Sequence, residues 1–143
     1  IIRQFLLYRT YHGTAMSETI QAASVAAWDD EKHVEENRAK YIAKFREAVP
    51  LLQQALNVSM PDASFYLWAE VFERTGLSDT EFARKLYEKF NVTVLPGSYL
   101  AREANGINPG KNRIRLALVA EPAECLEGIL RIVEFVKTQR REL

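Results

Sequence analysis

The chain has 143 residues, and its 19 Lys and Arg balance 19 Asp and Glu, so the formal net charge is zero. Apolar residues make up 48% of the sequence, which excludes a disordered chain and predicts a compact domain with a real core. A lone cysteine, Cys125, excludes an internal disulfide. No apolar run reaches the roughly 20 residues that span a bilayer, and the balanced charge provides no field for nucleic acid. We therefore expect a cytoplasmic protein without nucleic-acid or membrane partners.

The first thirty residues combine apolar and polar segments. Residues 1–8 are apolar and fit either a helix end or a buried strand, which periodicity cannot distinguish over so short a run. Residues 9–16 contain Gly13 and predict a loop. Ser17 is the predicted N-cap of an alanine-rich helix. Because the chain starts with Ile1 rather than Met, we expect it to be part of a longer polypeptide.

A longer helix follows, with Asp29 or Asp30 as its predicted cap. Apolar positions recur at spacings of three and four, which indicates one buried helical face. Pro50 falls inside this pattern and predicts a kink or break just before it, because proline lacks the N–H that a helix needs. The residues of this face are Val34, Arg38, Tyr41, Phe45, Val49, Leu52 and Leu56.

The middle of the chain alternates strand and helix signals. Residues 61–64 predict a turn, and residues 65–72 are rich in strand formers. Gly76 is predicted to end the unit that contains them. Ser78 and Glu81 have the spacing of a capping box at the start of a further helix. Asn91 closes this helix, whose buried stripe is expected to contain Phe82, Leu86 and Phe90.

The last third predicts two short strands and a helix. Residues 92–95 form a strand that Pro96 and Gly97 end, and residues 101–112 form a polar loop. Residues 113–119 form the next strand, and Pro122 lies near the start of the last helix. The predicted buried stripe of that helix is Leu126, Ile129, Leu130, Val133 and Val136.

This order of elements predicts an α+β fold. We expect a small, mostly antiparallel sheet packed against helices and covered on one face. Two helices should precede it, including the long one that Pro50 kinks.

Arg115 is the first candidate for chemistry. Alternation along strand 113–119 places Ile114 and Leu116 on one face, and Arg113 and Arg115 on the other. Two solvated arginines are the common outcome on an exposed face. Alternatively, one of them binds an anion, because the planar guanidinium matches a carboxylate with two parallel hydrogen bonds. The strand pattern leaves both interpretations open.

The other candidates are weaker. His12 and His33 are the only histidines and are separated by a predicted helix, so we expect no metal site. Cys125 has no basic neighbour in sequence and is interpreted as a buried structural residue. A loop arginine such as Arg9 is usually solvated, although it could reach an anion.

Three short motifs carry a family resemblance: FYLW at residues 65–68, VLPGS at 94–98 and RLA at 115–117. In this order they resemble the C-terminal domain of fold-type I pyridoxal-phosphate aminotransferases, and residues 5–28 resemble the segment that follows the family's cofactor lysine. The segments RTYHGTAMS, AREANGINPG and RIRLALVAEP are most similar to the bacterial N-succinyldiaminopimelate subfamily.

The resemblance implies roles for individual residues. Arg115 matches the arginine that pairs with the substrate α-carboxylate. Arg9 matches a position that in some relatives reaches the neighbouring subunit and meets a side-chain carboxylate. Tyr11 and Thr14 would approach the partner's cofactor phosphate. Residues 1–30 would be the end of the large cofactor domain, and residues 31–143 the small domain with its long linking helix.

The resemblance also implies substrates and partners: glutamate with 2-oxoglutarate, an N-succinylated diaminopimelate of lysine biosynthesis with its keto acid, and a homodimer. The family's Schiff-base lysine has no counterpart here, because no lysine lies in its sequence context. We therefore expect a fragment that is inactive alone and does not retain pyridoxal phosphate. The chain's lysines are Lys32, Lys40, Lys44, Lys85, Lys89, Lys111 and Lys137.

Two alternatives remain open: a stand-alone α+β interaction module, or a fragment of a related fold-type I lyase. The fragment hypothesis predicts exposed apolar residues in segment 1–30, where missing protein would pack. The stand-alone module predicts instead that the sheet face with Arg115 is covered or solvated.

Overall fold

The computed structural model describes residues 1–13 and 15–142, without the side chains of residues 141 and 142. The chain divides into two compact units, the first from Ile1 to Asn37 and the second from Arg38 onward. The first unit contains two helices and the start of a third. The second contains a sheet and the helices that cover it.

Two helices with exposed apolar side chains make up most of the first unit. They are α1 (Ile2–Tyr11) and α2 (Glu18–Asp29), and neither has a buried residue. The predicted cap of α2 is confirmed, because the Ser17 hydroxyl accepts a hydrogen bond from the Ile20 N–H at 3.5 Å. This exposure agrees with the fragment hypothesis. The larger exposed side chains are Ile2, Phe5, Leu6, Leu7, Tyr8, Ile20, Val25 and Trp28.

The predicted loop at residues 9–16 is wrong in its first part, since Arg9 and Tyr11 belong to α1. The helix continues because its backbone bonds continue, and the His12 N–H donates to the Tyr8 carbonyl at 3.0 Å. It ends at Tyr11, and Gly13 just beyond the extended cap residue His12 has a φ of 93°, in the left-handed region that glycine adopts most easily.

Helix α3 (Lys32–Gln53) begins beyond both predicted caps. Asp29 is the last residue of α2, whereas Asp30 Oδ2 lies 3.0 Å from His33 Nδ1 and so contacts the first turn of α3. His33 itself is exposed, as expected for a solvated helix face.

Of the kink or break predicted at Pro50, the break is wrong, because α3 continues past the proline to Gln53, and the kink stays a prediction. Pro50 is exposed and lies in the last turn of α3. There, water can donate to the backbone carbonyl that proline leaves without an N–H partner. The same turn buries Val49 and Leu52 in the core, and this burial stabilises the helix beyond the proline.

The sheet has four strands, β1 (Asn57–Val58), β2 (Tyr66–Glu70), β3 (Leu95–Pro96) and β4 (Arg113–Ala117). Their spatial order is β1-β2-β4-β3, and every neighbouring pair is antiparallel. The predicted α+β class with a small antiparallel sheet is therefore confirmed.

Strand β3 is shorter and later than the predicted strand 92–95. Asn91 ends the preceding helix with a left-handed φ of 51°. The chain then pairs with β4 only from Leu95, opposite Arg115, while Val94 is buried in the core. Residues 92–94, which the sequence pattern assigned to the strand, instead connect the end of the helix to the sheet.

The two sheet faces differ as the alternation predicts. Leu67, Ala69, Ile114 and Leu116 are buried on the face that the helices cover. The opposite face carries exposed residues, including Trp68 at 40% exposure. This uncovered face is the one that contains Arg115.

Two short helices and two long ones complete the second unit, α4 (Phe72–Thr75), α5 (Asp79–Phe90), α6 (Gly97–Leu100) and α7 (Pro122–Glu142). The capping box of α5 is confirmed in both directions, between Ser78 and Glu81.

The predicted stripe of α7 is partly wrong. Leu130 is 50% exposed, whereas Ile132 and Phe135 are buried. The Phe135 ring packs edge-on against Phe82 of α5, with centroids 5.0 Å apart. The sequence fixes the helical period, but contact with α5 decides which way the apolar face is turned.

Asp79 ties the end of β3 to the start of β4. Its buried carboxylate accepts hydrogen bonds from the backbone N–H of Ser98 at 2.8 Å and of Asn112 at 3.2 Å. Burial raises the pKa of Asp79, but the hydrogen bonds from Ser98 and Asn112 outweigh it, so the pKa lies below its usual value. The ionised carboxylate thus stabilises the loop between the two strands.

Gly97 and Gly110 let the two ends of this loop touch. A Cβ on Gly97 would lie 2.7 Å from the Arg113 carbonyl oxygen and 2.9 Å from the Trp68 ring. A Cβ on Gly110 would lie 2.5 Å from the Gly97 carbonyl carbon. No side chain fits at either position without moving backbone.

We predict that Asp79→Asn lowers the free energy of unfolding at pH 7 by about 2 kcal/mol, because charge-assisted hydrogen bonds are lost. A lowered folded-state pKa means that the stabilisation is complete above roughly pH 4 and is lost as the pH falls through the folded value. Urea unfolding at pH 7 and at acid pH measures both effects. The gap between wild type and variant should shrink in acid. Asp62→Asn, at an exposed carboxylate, is the control, and an equal effect there would contradict the prediction.

Alanine at Gly110 and at Gly128 should have opposite effects on stability. Gly110→Ala clashes with Gly97 backbone and should lower the free energy of unfolding by about 1–3 kcal/mol. Gly128 lies in α7, and a Cβ there meets no atom within 4 Å. Gly128→Ala should therefore raise stability by up to about 1 kcal/mol through helix propensity. Thermal unfolding of both variants tests this, and two changes of the same sign would refute it.

Candidate carboxylate-binding site

Arg115 lies in the middle of β4, on the uncovered face of the sheet. Its two neighbours across the ladder are Trp68 of β2 and Leu95 of β3. Neither side chain carries charge, and Arg115 itself is half-buried. The strand therefore holds a guanidinium group between two apolar neighbours.

Tyr66 provides the direct contact to this guanidinium group. The Arg115 Cζ atom lies over the Tyr66 ring, 4.2 Å from its centroid. Tyr66 pairs with Ala117 in the register, so it reaches Arg115 along the diagonal between neighbouring strands. The electron-rich face of the ring attracts the guanidinium cation. This contact does not use the N–H donors of Arg115 in hydrogen bonds.

The charge of Arg115 has no carboxylate partner among the described residues. Arg113, two residues earlier on the same face, lies opposite Glu70 in the register. The Glu70 carboxylate in turn accepts the backbone N–H of Phe72 at 2.8 Å. The two arginines thus differ in their cross-strand neighbours, since Arg113 lies opposite an acidic residue and Arg115 does not. A half-buried, unpaired guanidinium fork can bind an anion, above all a carboxylate.

The other predicted site residues belong to the first unit. Arg9 lies in the last turn of α1, and a Cβ on Gly13 would lie 3.0 Å from its Nη1 atom. Tyr11 is the last residue of α1 and is 82% exposed. Thr14 lies outside the described residues. The described contacts join neither Arg9 nor Tyr11 to an acidic residue.

Tyr66 and Trp68 are the site residues that the strand pattern alone did not assign. Both were visible in sequence as part of an aromatic strand. The register of β2 against β4 was needed to place one beside Arg115 and the other diagonally across from it. A search for aromatic residues two positions apart on a strand predicted to pair with an arginine strand could have found them.

Cys125 and the histidines do not form a second site. The Cys125 thiol is half-buried and donates to the Ala120 carbonyl at 3.2 Å. Burial raises the pKa of this thiol, which disfavours the reactive thiolate. Among the described residues, no three His, Cys, Asp or Glu side chains are grouped to hold a metal ion. None of the described helices is long and apolar enough to cross a membrane.

Comparison with known proteins identifies the family of the chain. The family model for aminotransferase class I and II matches residues 5–132. A crystal structure of an aminotransferase from Neisseria meningitidis is 49% identical, with a TM-score of 0.80 over 94% of this chain and 34% of that one. A probable N-succinyldiaminopimelate aminotransferase from Thermus thermophilus is 33% identical, with a TM-score of 0.61 over 77% of this chain and 28% of that one.

A curated relative has the same partial coverage. The LL-diaminopimelate aminotransferase of Dehalococcoides mccartyi is 29% identical over 124 residues, covering 85% of this chain and 30% of the relative. The chain thus spans about a third of the length of the proteins it matches. The family match extends over most of the chain and includes the Arg115 strand and α1 from Phe5 onward. The chain belongs to the aminotransferase class I and II family.

Proposed function

We propose that this chain is the part of an aminotransferase that holds the substrate α-carboxylate, with Arg115 as the binding residue. The observation that carries the proposal is the half-buried Arg115 guanidinium, which has no acidic partner among the described residues. An α-amino acid and its keto acid both carry a carboxylate at the reacting carbon. One guanidinium fork can therefore bind both substrates of a transamination in the same orientation.

The finer substrate is a second part of the proposal. We propose glutamate and 2-oxoglutarate as one pair, and an N-succinylated diaminopimelate, on the route to lysine, with its keto acid as the other. The names of two relatives, which refer to N-succinyldiaminopimelate and LL-diaminopimelate, support this assignment. These substrates carry more than one carboxylate, so a second cation is needed. Arg9, exposed on α1, is our candidate, acting across a homodimer.

Pyridoxal phosphate is the cofactor that the family generally uses. When bound, it stabilises negative charge at the substrate carbon that loses its proton. The described residues around Arg115 do not fit this group, because Tyr66, Trp68 and Leu95 provide neither a lysine nor a phosphate cradle. We therefore assign the Arg115 face to the substrate carboxylate alone. Tyr11 and Thr14, toward a partner's cofactor phosphate, stay a proposal from the family resemblance.

The domain assignment also stays a proposal. We assign residues 1–30 to the end of a cofactor domain and residues 31–143 to the small domain. The exposed apolar side chains of α1 and α2 support this, since contiguous apolar surface usually covers or is covered by other protein.

We predict that Arg115→Ala in the whole protein lowers kcat/KM for glutamate roughly 10²- to 10⁴-fold, because two charge-assisted hydrogen bonds are lost. Arg115→Lys keeps the charge but not the fork, and should fall between Ala and wild type. Steady-state transamination kinetics measure the effect.

Arg113→Ala is the matched control on the same strand and face, and should leave kcat/KM within about twofold of wild type. Equal losses for Arg113→Ala and Arg115→Ala, or no loss for either, would contradict the assignment.

We also expect the 143-residue chain alone to lack transaminase activity and to release pyridoxal phosphate on desalting. The physical reason is that covalent anchoring needs a lysine held beside the cofactor. A coupled transaminase assay and the cofactor absorbance after gel filtration check this. Retention of one cofactor per chain would contradict it.

A further inference from the structure

Tyr66 occupies an unusual place beside the candidate carboxylate-binding arginine. We propose that Tyr66 is a positioning residue: its ring face fixes the Arg115 guanidinium before substrate arrives and so sets the affinity for the α-carboxylate. This inference rests on the proposed function of Arg115 and adds a residue to that site.

The Tyr66 ring belongs to a row of aromatic side chains in contact with one another. Phe65 lies 4.2 Å from Tyr66 between ring centroids, and Tyr41 of α3 lies 5.8 Å from Phe65. Lys44 lies over the other end of the row, 5.2 Å from the Tyr41 centroid. The Tyr66 ring thus contacts both Phe65 and the Arg115 guanidinium, and packing against Phe65 restricts its movement.

Lys44 fixes this row to the sheet. Its ammonium group donates to the carbonyl oxygens of Leu118 at 3.1 Å and Ala120 at 2.6 Å, just beyond β4. Helix α3 is thereby joined to the segment just beyond β4, at the Tyr41 end of the aromatic row. The position of the Tyr66 ring thus depends on the same elements that position Arg115.

A preset guanidinium binds a carboxylate better than a free one. A long arginine side chain loses rotamer freedom when it is held in one geometry, and this loss opposes binding. Because the Tyr66 ring already restricts the Arg115 side chain in the folded protein, part of this rotamer freedom is lost during folding rather than on substrate binding. The contact also leaves the N–H donors unbonded, since no hydrogen bond or ion pair from the Arg115 guanidinium to another described residue is observed.

Trp68 does not replace Tyr66 in this role. It pairs directly with Arg115 in the register, but its ring packs toward Gly97, where a Cβ would lie 2.9 Å from Trp68 Cζ3. The cation contact is formed with Tyr66. The diagonal aromatic residue, rather than the opposite one, therefore holds the guanidinium.

The test compares Tyr66→Leu with Tyr66→Phe in the whole protein. Leu removes the ring face, and we expect KM for glutamate to rise roughly 3- to 10-fold with a smaller change in kcat. Phe retains the face and should restore KM to within about twofold of wild type. Tyr87→Leu, at an exposed tyrosine on α5, is the matched control and should leave KM unchanged.

A second substrate separates positioning from scaffolding. The α-amide of glutamate has no α-carboxylate, so its kcat/KM should not respond to Tyr66→Leu. Equal losses with glutamate and its α-amide would mean that Tyr66 only supports the fold, which overturns the inference.

Fluorinated phenylalanines at position 66 keep the shape of the ring while weakening its attraction for cations, and they serve where Tyr66→Leu does not fold. KM for glutamate should rise with each added fluorine. A flat series, or wild-type KM in Tyr66→Leu, refutes the positioning role. If the Tyr66 variants refute the positioning role but Arg115→Ala is impaired in the same assay, the proposed function of Arg115 stands without that role. Wild-type kinetics in Arg115→Ala would instead remove the proposed function itself.

Discussion

The pairing of β4 between β2 and β3 is the constraint on which the rest of the second unit depends. It places Ile114 and Leu116 in the core and, by the same alternation, turns Arg115 to the uncovered face. A slip of one residue would exchange the two faces and bury the guanidinium among apolar side chains. Core formation and site formation are therefore one event, because burial of Ile114 and Leu116 fixes the register that turns Arg115 to the opposite face.

The loop between β3 and β4 protects that register. Gly97 and Gly110 permit backbone contact at its two ends, and the Asp79 carboxylate binds the N–H groups of Ser98 and Asn112. Asp79, Gly97 and Ser98 are distant from Arg115 in sequence, whereas Gly110 and Asn112 lie just before its strand. Together they hold Leu95 opposite Arg115, so that apolar side chains flank the guanidinium and no acid of the described part of the chain competes for its donors.

The two units differ in how they satisfy their apolar residues. The second unit buries its own core, including Phe82 and Phe135, whereas α1 and α2 bury none of their side chains. Exposed side chains such as Phe5 and Trp28 have no partner within those helices that covers them. Contiguous apolar surface of this kind usually packs against other protein, and the chain spans about a third of the length of the proteins it matches.

By itself, the sequence determined the α+β class, the capping box of Ser78 and Glu81, and the faces of strand 113–119, because each depends on local periodicity or on a short hydrogen-bond motif. Family motifs added Arg115 as the candidate site. Tertiary structure alone decided that α3 continues through Pro50, that α7 turns Ile132 and Phe135 inward rather than Leu130, and that Tyr66 lies under Arg115. These features depend on contacts between residues far apart in the chain, whose packing energy can exceed local propensity and whose register no single segment encodes.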